Sequence, residues 1–592
     1  MENGENYHSS SSSLANQYSA IPSRPGTAAE RKAGGWKSIK YILGNESFEK
    51  LASMSLIANI TVYLSTKYNL SGIFLVTVAN VWSGFSNISS LAGAFVSDAY
   101  LGKFYTLLFG AIASLLGMGI MTLTAGISSL RPLSWNQNSE TERSHVPQSW
   151  QLGILFSGLG LLSIGAGGIR PCNIAFGADQ FDTRTEKGRA QLESFFNWWY
   201  FTFTVALIVA LTGVVYIQTN VSWALGFAIP TACLAFSIAI FLLGRHTYIN
   251  IEPQGSVFSD MLKVITAACR KRGIRMDGPD FYDPPVTEAE QKLPRTDRFR
   301  CLDKAAVITS HDELTSQGSA KNGWGLCSVQ QVEQLKCLIA VLPVGISGVV
   351  ALMTMDQNNT FGILQAMQMD RSIGKNHFMF PPGWMNIVSM VALSIWIYVY
   401  ERIYLLQARK ITGSSSDKRL SMRQRIRVGI VMSIFAMIVS GFVEIHRRNM
   451  ALKQESFISP ASVFWLIPQF SLSGLTEAFA AVAIMEFLTM QLGENMRTVA
   501  GAIFFLCLSI ASYVGSIVVN VVHSVTGKSG KFPWLGGHDL NKNRLDYYYF
   551  FLAALAGLNL MYFQFFASHF VLNSPQDSHD TREDNHDFAT FH

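Results

Sequence analysis

Few side chains in this sequence can carry charge-based chemistry inside an apolar setting, and their spacing limits what they can do. Glu46, Glu49 and Lys50 fall within one sector of a helix, so two carboxylates share a single ammonium. A carboxylate beside Lys stays ionised, whereas a second carboxylate nearby makes double ionisation costly, so the trio can hold one mobile proton. The same residues would also serve as a charged helix entrance, with two Glu favoured by the helix dipole. Further along, Gly165-Ala166-Gly167-Gly168-Ile169-Arg170-Pro171 pairs a close-packing glycine run with a permanent cation. Arg170 either stands at membrane depth or snorkels to a surface on its long stem. Glu477 sits deep in an uncharged stretch that begins at Phe457, and Glu486 lies nine positions on, about 180° round a helix. Glu477 and Arg170 thus form a candidate pair that makes and breaks between two conformations. Asp356, next to Met355, either reaches a central cavity or lies at a water interface, and the interface is the favoured reading. Tyr63, Trp82, Trp198, Trp199 and Tyr200 can line a solute path, although aromatic belts at the membrane interfaces are the commoner use of such residues.

The elements that must hold these residues follow from composition. Of 592 residues, 49% are hydrophobic and 15% charged, with mean hydropathy +0.24. Soluble domains carry about 25% charged residues. Residues 68–97, 104–130, 498–527 and 547–576 contain no Asp, Glu, Lys or Arg, and each run exceeds the roughly 20 residues a helix needs to cross the hydrocarbon core. Backbone amides in lipid must bond within their own segment, so these runs are helices. Apolar stretches fall near 47–66, 73–97, 104–126, 150–172, 194–216 and 222–244, then near 335–355, 382–404, 424–444, 461–489, 498–522 and 547–572. The polar triplet Gln218-Thr219-Asn220 divides the fifth from the sixth. The expected fold is therefore an all-α membrane protein of twelve transmembrane helices in two six-helix bundles, with a solute site between them. The bundles cover 41–244 and 334–573. A cytosolic connector spans 245–333, and disordered tails cover 1–40 and 574–592, the latter acidic.

With both termini placed in the cytosol, cytosolic connections hold 24 Lys and Arg and the outer ones 12, including Arg447 and Arg448. The bias supports that orientation. The net charge of +6 is small for the length and forms no basic face, so nucleic acid is not an expected partner. Basic residues 270–272 are read as a solvated face ahead of a lipid site. Seven cysteines lie in expected helices or the connector, with no metal-ligand spacing. Asn69 and Asn220 match the glycosylation pattern. No cleavable signal peptide is visible in residues 1–40. Metal-ligand clusters, phosphate loops and nucleophile–base arrangements are missing from the sequence pattern, which argues against an enzyme.

Several longer motifs narrow the reading: Glu46-x-x-Glu49-Lys50, Gly93-Ala-Phe-Val-Ser-Asp98-Ala-Tyr-Leu-Gly-Lys103, Phe176-Gly-Ala-Asp-Gln-Phe-Asp182, Phe195-Phe-Asn-Trp-Trp-Tyr200 and Phe299-Arg-Cys-Leu-Asp-Lys-Ala-Ala306. Over Gly35 to about His569 the chain resembles the plant NPF (nitrate and peptide transporter) family of proton-dependent oligopeptide transporters. The resemblance implies a major-facilitator fold with cytosolic termini, in the plasma or vacuolar membrane. It implies proton coupling at Glu46, Glu49 and Lys50, with the proton as coupling ion and no other cofactor. By the same resemblance Arg170 and Glu477 match a gating and substrate-binding pair, Asp98 and Lys103 a conformational hinge, and Thr106 a site phosphorylated in some relatives. Many members carry Lys where Arg170 stands, and Arg does not release a proton at cellular pH. The best-understood nitrate carriers of the family use a His where Met355 stands, although other members carry nitrate without it, and a thioether cannot donate a hydrogen bond to an anion. The expected function is proton-coupled symport of a small organic solute, such as a glycosylated plant metabolite. Nitrate transport is the alternative, and a non-transporting membrane sensor a distant one.

Overall fold

The computed structural model describes residues 34–571, apart from 71, 133–145, 182–185, 251–252, 254–256, 274–279, 285–292, 294, 310–313, 316–319, 375–377, 401–419, 493–496 and 529–532. Residues 1–33 and 572–592, Arg184 and the middle of the eighth-to-ninth connection lie outside the described residues, whereas Gly35–Lys40, expected in a disordered tail, form the start of the first helix. Among the described residues, ten helical runs are long and apolar enough to cross a membrane. The longest, Gly72–Gly126, turns back at Gly102, where φ is +75° and a side chain would be strained. It therefore makes two passes. The charge-bearing helix Gly35–Lys67 completes twelve.

The first bundle holds α1 (Gly35–Lys67), α2 (Gly72–Val96), α3 (Gly102–Gly126), α4 (Ser149–Ile169), α5 (Glu186–Val209) and α6 (Trp223–Leu243). The second holds α7 (Val329–Gln357), α8 (Met385–Val399), α9 (Met422–Lys453), α10 (Ile467–Thr476, continued by Val482–Leu492), α11 (Arg497–Gly527) and α12 (Leu545–Phe565). Capping boxes at Ser328/Gln331 and Ser421/Gln424 start α7 and α9. On α3, Phe109, Leu116 and Leu123 repeat every seven residues and are each more than half exposed. That is a lipid-facing stripe, since water would penalise it. The opposite face of α3 meets α4 through glycine. A Cβ on Gly110 would touch the backbone at Gly165 and Gly168, and one on Gly93 of α2 would collide with Gly167. The glycine run before Arg170 thus lets three helix backbones approach closely.

Helices extend past their apolar runs. α9 continues to Lys453, carrying Arg447 into the interior at 0% exposure. Arg447 is not an outer-loop residue. It forms a bidentate pair with Glu444, with Nε to Oε2 at 2.8 Å and Nη2 to Oε1 at 2.7 Å. Asn541 accepts from its Nη1, and Gln365 donates to Glu444. Every charge here is bonded, which offsets the desolvation cost.

From Val257 on, the described parts of the connector pack against the second bundle. The amphipathic helix Val257–Arg270 packs on α7. At the start of α7, buried Lys336 bonds Asp303 at 2.6 Å and Glu333 at 2.8 Å. Arg295 also reaches Asp303, at 3.2 Å. The motif Phe299–Ala306 is thus a clamp between connector and bundle.

Bonds joining the two bundles gather in the half away from the connector. Thr61 donates to the Asn359 carbonyl, Ser509 to the Gly84 carbonyl and Asn520 to Thr77. Asn220 donates its amide, the nitrogen a glycan would occupy, to the Met379 carbonyl. On the connector side α4 and α10 share no packed interface among the described residues. The molecule is closed at the far end.

Candidate functional site

One cavity is lined by the first bundle alone, and a second lies between the bundles and is lined by residues of both. They share Ile57, Trp82, Ser86 and Arg170 and so join into one chamber. Glu49 lines the cavity nearer the connector, and Asp356, Asn80, Asn87, Asn359 and Thr360 line the one nearer the closed end.

Local backbone breaks place these groups. The α4 helix ends in a turn at Arg170-Pro171-Cys172 and resumes as Asn173–Ala178. Proline has no N–H to continue the ladder. Arg170 is held at that break by donating Nη1 to Asn87 Oδ1 at 3.0 Å. A wide π turn, Asn358–Gly362, follows α7 immediately after Asp356, and such turns often mark functional sites. Asp356 Oδ2 accepts from Ser512 at 3.0 Å, and Oδ1 from Asn359 at 3.3 Å. Asp356 faces the cavity rather than an outer interface.

Glu46 and Glu49 are 1% and 5% exposed. Lys50 Nζ stands 3.7 Å from Glu46 Oε1 and 3.3 Å from Glu49 Oε2. The Oε2 atom of each Glu is buried without a hydrogen-bond partner. The Lys50 ammonium thus stands between two buried carboxylates.

Other sequence candidates fall elsewhere. Tyr63 is fully buried inside the first bundle, bonded to Thr124 at 2.9 Å and packed on Trp223 and Phe227. It lies six positions after cavity-lining Ile57, about 240° round the helix. Met355 packs against the hydrophobic core, one residue and about 100° from Asp356. No ion pair joins Arg170 to Glu477 among the described residues, since α4 and α10 are apart. Glu477 opens a π turn, Glu477–Ala481, which divides α10. Glu486 pairs instead with Arg425 at 2.5 Å. Lys103 bonds Asp179 at 2.6 Å rather than Asp98. Burial lifts the Asp179 carboxyl above its usual range, against the pull of Lys103. Thr106 is 6% exposed and donates to the Gly102 carbonyl at 2.9 Å, so in this conformation its hydroxyl is not presented to a kinase.

Asn87 goes unassigned as a site residue from sequence, and Trp82 is read there as a path-lining aromatic second to an interfacial belt residue. Trp82 donates its indole N–H to the Leu159 carbonyl at 3.1 Å, which leaves its ring as a cavity wall.

Two bundles of six membrane helices around a chamber with buried charge from both halves define a secondary transporter of major-facilitator type. A family model described as PTR2, POT family, matches residues 104–535. The chain is 58% identical to the protein NRT1/ PTR FAMILY 2.8 of Arabidopsis thaliana, over 92% of this chain and 96% of that one. It is 43% identical to NRT1/ PTR FAMILY 2.13 of the same plant, over 91% and 87%. The crystal structure of the POT family transporter PepTSo is similar in fold, with a TM-score of 0.64 at 19% identity over 90% of this chain and 98% of that one. The chain belongs to the POT family, in its plant NPF branch, and is a multi-pass, proton-coupled membrane transporter rather than an enzyme.

Proposed function

We propose that the protein is a symporter that carries a glycosylated plant metabolite together with a proton, by alternating access. The observation that carries this reading is the chamber wall. Arg170 from one bundle and Asp356 from the other stand among Asn80, Ser83, Ser86, Asn87, Asn359 and Thr360, with the Trp82 ring alongside. Amides, hydroxyls and a carboxylate suit the many donors and acceptors of a sugar, and an indole face suits its apolar C–H surface. A solute with an anionic group would also meet Arg170.

Nitrate fits this wall less well. Asp356, on the same wall as Arg170, would repel a small anion. Arg170 is the one feature that favours nitrate, which keeps it as the second reading.

In the proposed cycle Glu46 and Glu49 take up the coupling proton, the solute binds at Arg170 and Asp356, and the bundles then exchange which end is closed. Arg170 and Glu477 are proposed to meet when the connector side closes. Asp98 and Lys103, with Asp179, are proposed to steady the connector-side end of the first bundle. The termini are proposed to face the cytosol at the plasma or vacuolar membrane.

The test is uptake by oocytes at acidic external pH, offered glycosides and nitrate separately. Acid-dependent accumulation of a glycoside is expected. Accumulation of nitrate alone would replace this reading with the second.

A further inference from the structure

We propose that the connector helix Val257–Arg270 docks on anionic phospholipid in the leaflet on the connector side. An uncovered apolar strip of the helix enters the interface, and Arg270 and Arg272 meet the phosphates. Read from sequence, residues 270–272 are a solvated face, but the structure splits the run. Lys271 is buried and donates Nζ to the Val307 carbonyl at 2.7 Å. Arg270 and Arg272 are exposed on either side of it.

The helix has more apolar surface than the protein covers. Met261, Val264 and Ala268 share one face and are buried. Leu262, Ile265 and Cys269 each follow by one position, so they form a second apolar strip turned about 100° from the first. That strip is open, with Leu262 56% and Ile265 44% exposed and Cys269 exposed as well. Ser259, Lys263, Thr266 and Arg270 make the remaining, polar face, which borders Leu262. An apolar arc that its own protein covers only in part, edged by basic side chains, is the pattern of a helix lying in a membrane interface. Long Arg stems let the charge reach phosphate while the strip stays in the acyl boundary.

The position of the helix fits that occupant. It packs on α7, and Val329, Val332 and Leu335 from the first turns of α7 lie in the same buried cluster. From Cys337 to Met355 α7 carries no charged residue, so the helix lies at the level where α7 enters the hydrocarbon. Trp324, 43% exposed, follows Gly323, where a Cβ would stand 3.6 Å from the Lys263 stem. Tryptophan at such a level is an interfacial residue. Over residues 257–272 there are four basic residues, Lys263, Arg270, Lys271 and Arg272, and one acid, Asp260. That acid is already bonded to Lys263 at 2.7 Å. An anionic leaflet offers both the acyl surface and the negative charge that this face lacks.

Hydrogen–deuterium exchange of the full-length protein tests this in two kinds of nanodisc, one of phosphatidylcholine and one with a third of that lipid replaced by phosphatidylserine. Exchange in Val257–Arg270 is expected to be about threefold or more slower in the anionic discs, with α3 and α4 unchanged. The double variant Arg270→Gln/Arg272→Gln should lose that difference, and Arg270→Lys/Arg272→Lys should keep most of it. Leu262→Ser/Ile265→Ser, at exposed positions, should raise exchange in both lipids. High salt should erase the difference in the parent. Equal exchange of the parent in the two lipids would leave the face to solvent or a soluble partner and overturn the proposal. A lipid effect that survives Arg270→Gln/Arg272→Gln, or no response to Leu262→Ser/Ile265→Ser, would overturn it too. The solute chamber takes no part in this test, so its outcome is separate from that of the transport reading.

Discussion

Arg170 keeps its charge at any cellular pH, so among the charged groups around the chamber the protonatable ones are carboxylates. Glu49 is the one that both lines the chamber and shares Lys50 with a second buried acid. Glu49→Gln preserves side-chain volume while removing the charge. Accumulation driven by a pH gradient is expected to fall to background, with melting temperature and membrane insertion unchanged. Wild-type accumulation in that variant would remove the coupling role. Arg170→Ala is expected to lower uptake at least about tenfold, about 1.4 kcal/mol. Lys263→Ala, on the exposed connector helix, should leave uptake near the parent value. Equal losses would count against Arg170 as a chamber residue. Both Glu46/Glu49/Lys50 and Arg170 were legible in the sequence, because a charge inside an apolar run has few structural uses. Tyr63 and Met355 were not placed correctly, because helix rotation decides which neighbour faces the chamber. Asn87 was invisible for another reason: a neutral amide carries no signal until its partner Arg170 is known.

Breaks and close approaches do the positioning at the level of elements. Gly93 lies where α2 crosses α4, and a Cβ there would overlap the Gly167 backbone. Gly93→Val is expected to destabilise the first bundle by about 1–3 kcal/mol, as overpacking does. The check is a lowered thermal midpoint in detergent, and no shift would mean that the helices separate freely. The glycines were readable as a packing run, but which helices they admit was not, since that depends on tertiary crossing. In the second bundle, Glu444→Ala would leave Arg447 buried without its charge partner, at a cost of about 3–5 kcal/mol. A large drop in the unfolding midpoint is expected, against a small one for Glu486→Ala, whose carboxylate is about half exposed. The sequence hid this pair because the apolar run stops at residue 444, whereas the helix continues to Lys453. Two charges bonded to each other can remain inside, and hydropathy registers them as an end.

For the whole molecule, the twelve-helix fold was legible because apolar run length alone sets a membrane crossing. The conformational state was not. Which end is closed depends on contacts such as Ser509 with Gly84 and Thr61 with Asn359, made by common polar residues far apart in the chain. Closure at the far end separates α4 from α10, so Arg170 and Glu477 stand apart. The connector clamp at Lys336 ties Arg295 and Asp303 to the second bundle, so that part of the connector is expected to travel with that bundle when the two rock. The central claim is that solute movement in this chamber is tied to protons. Purified full-length protein in sealed vesicles, given a glycoside and an imposed pH gradient, tests it most directly through solute accumulated inside. Accumulation above the external concentration, abolished when a protonophore collapses the gradient, is the expected result. Solute entry at the same rate and to the same level with or without the gradient would contradict it.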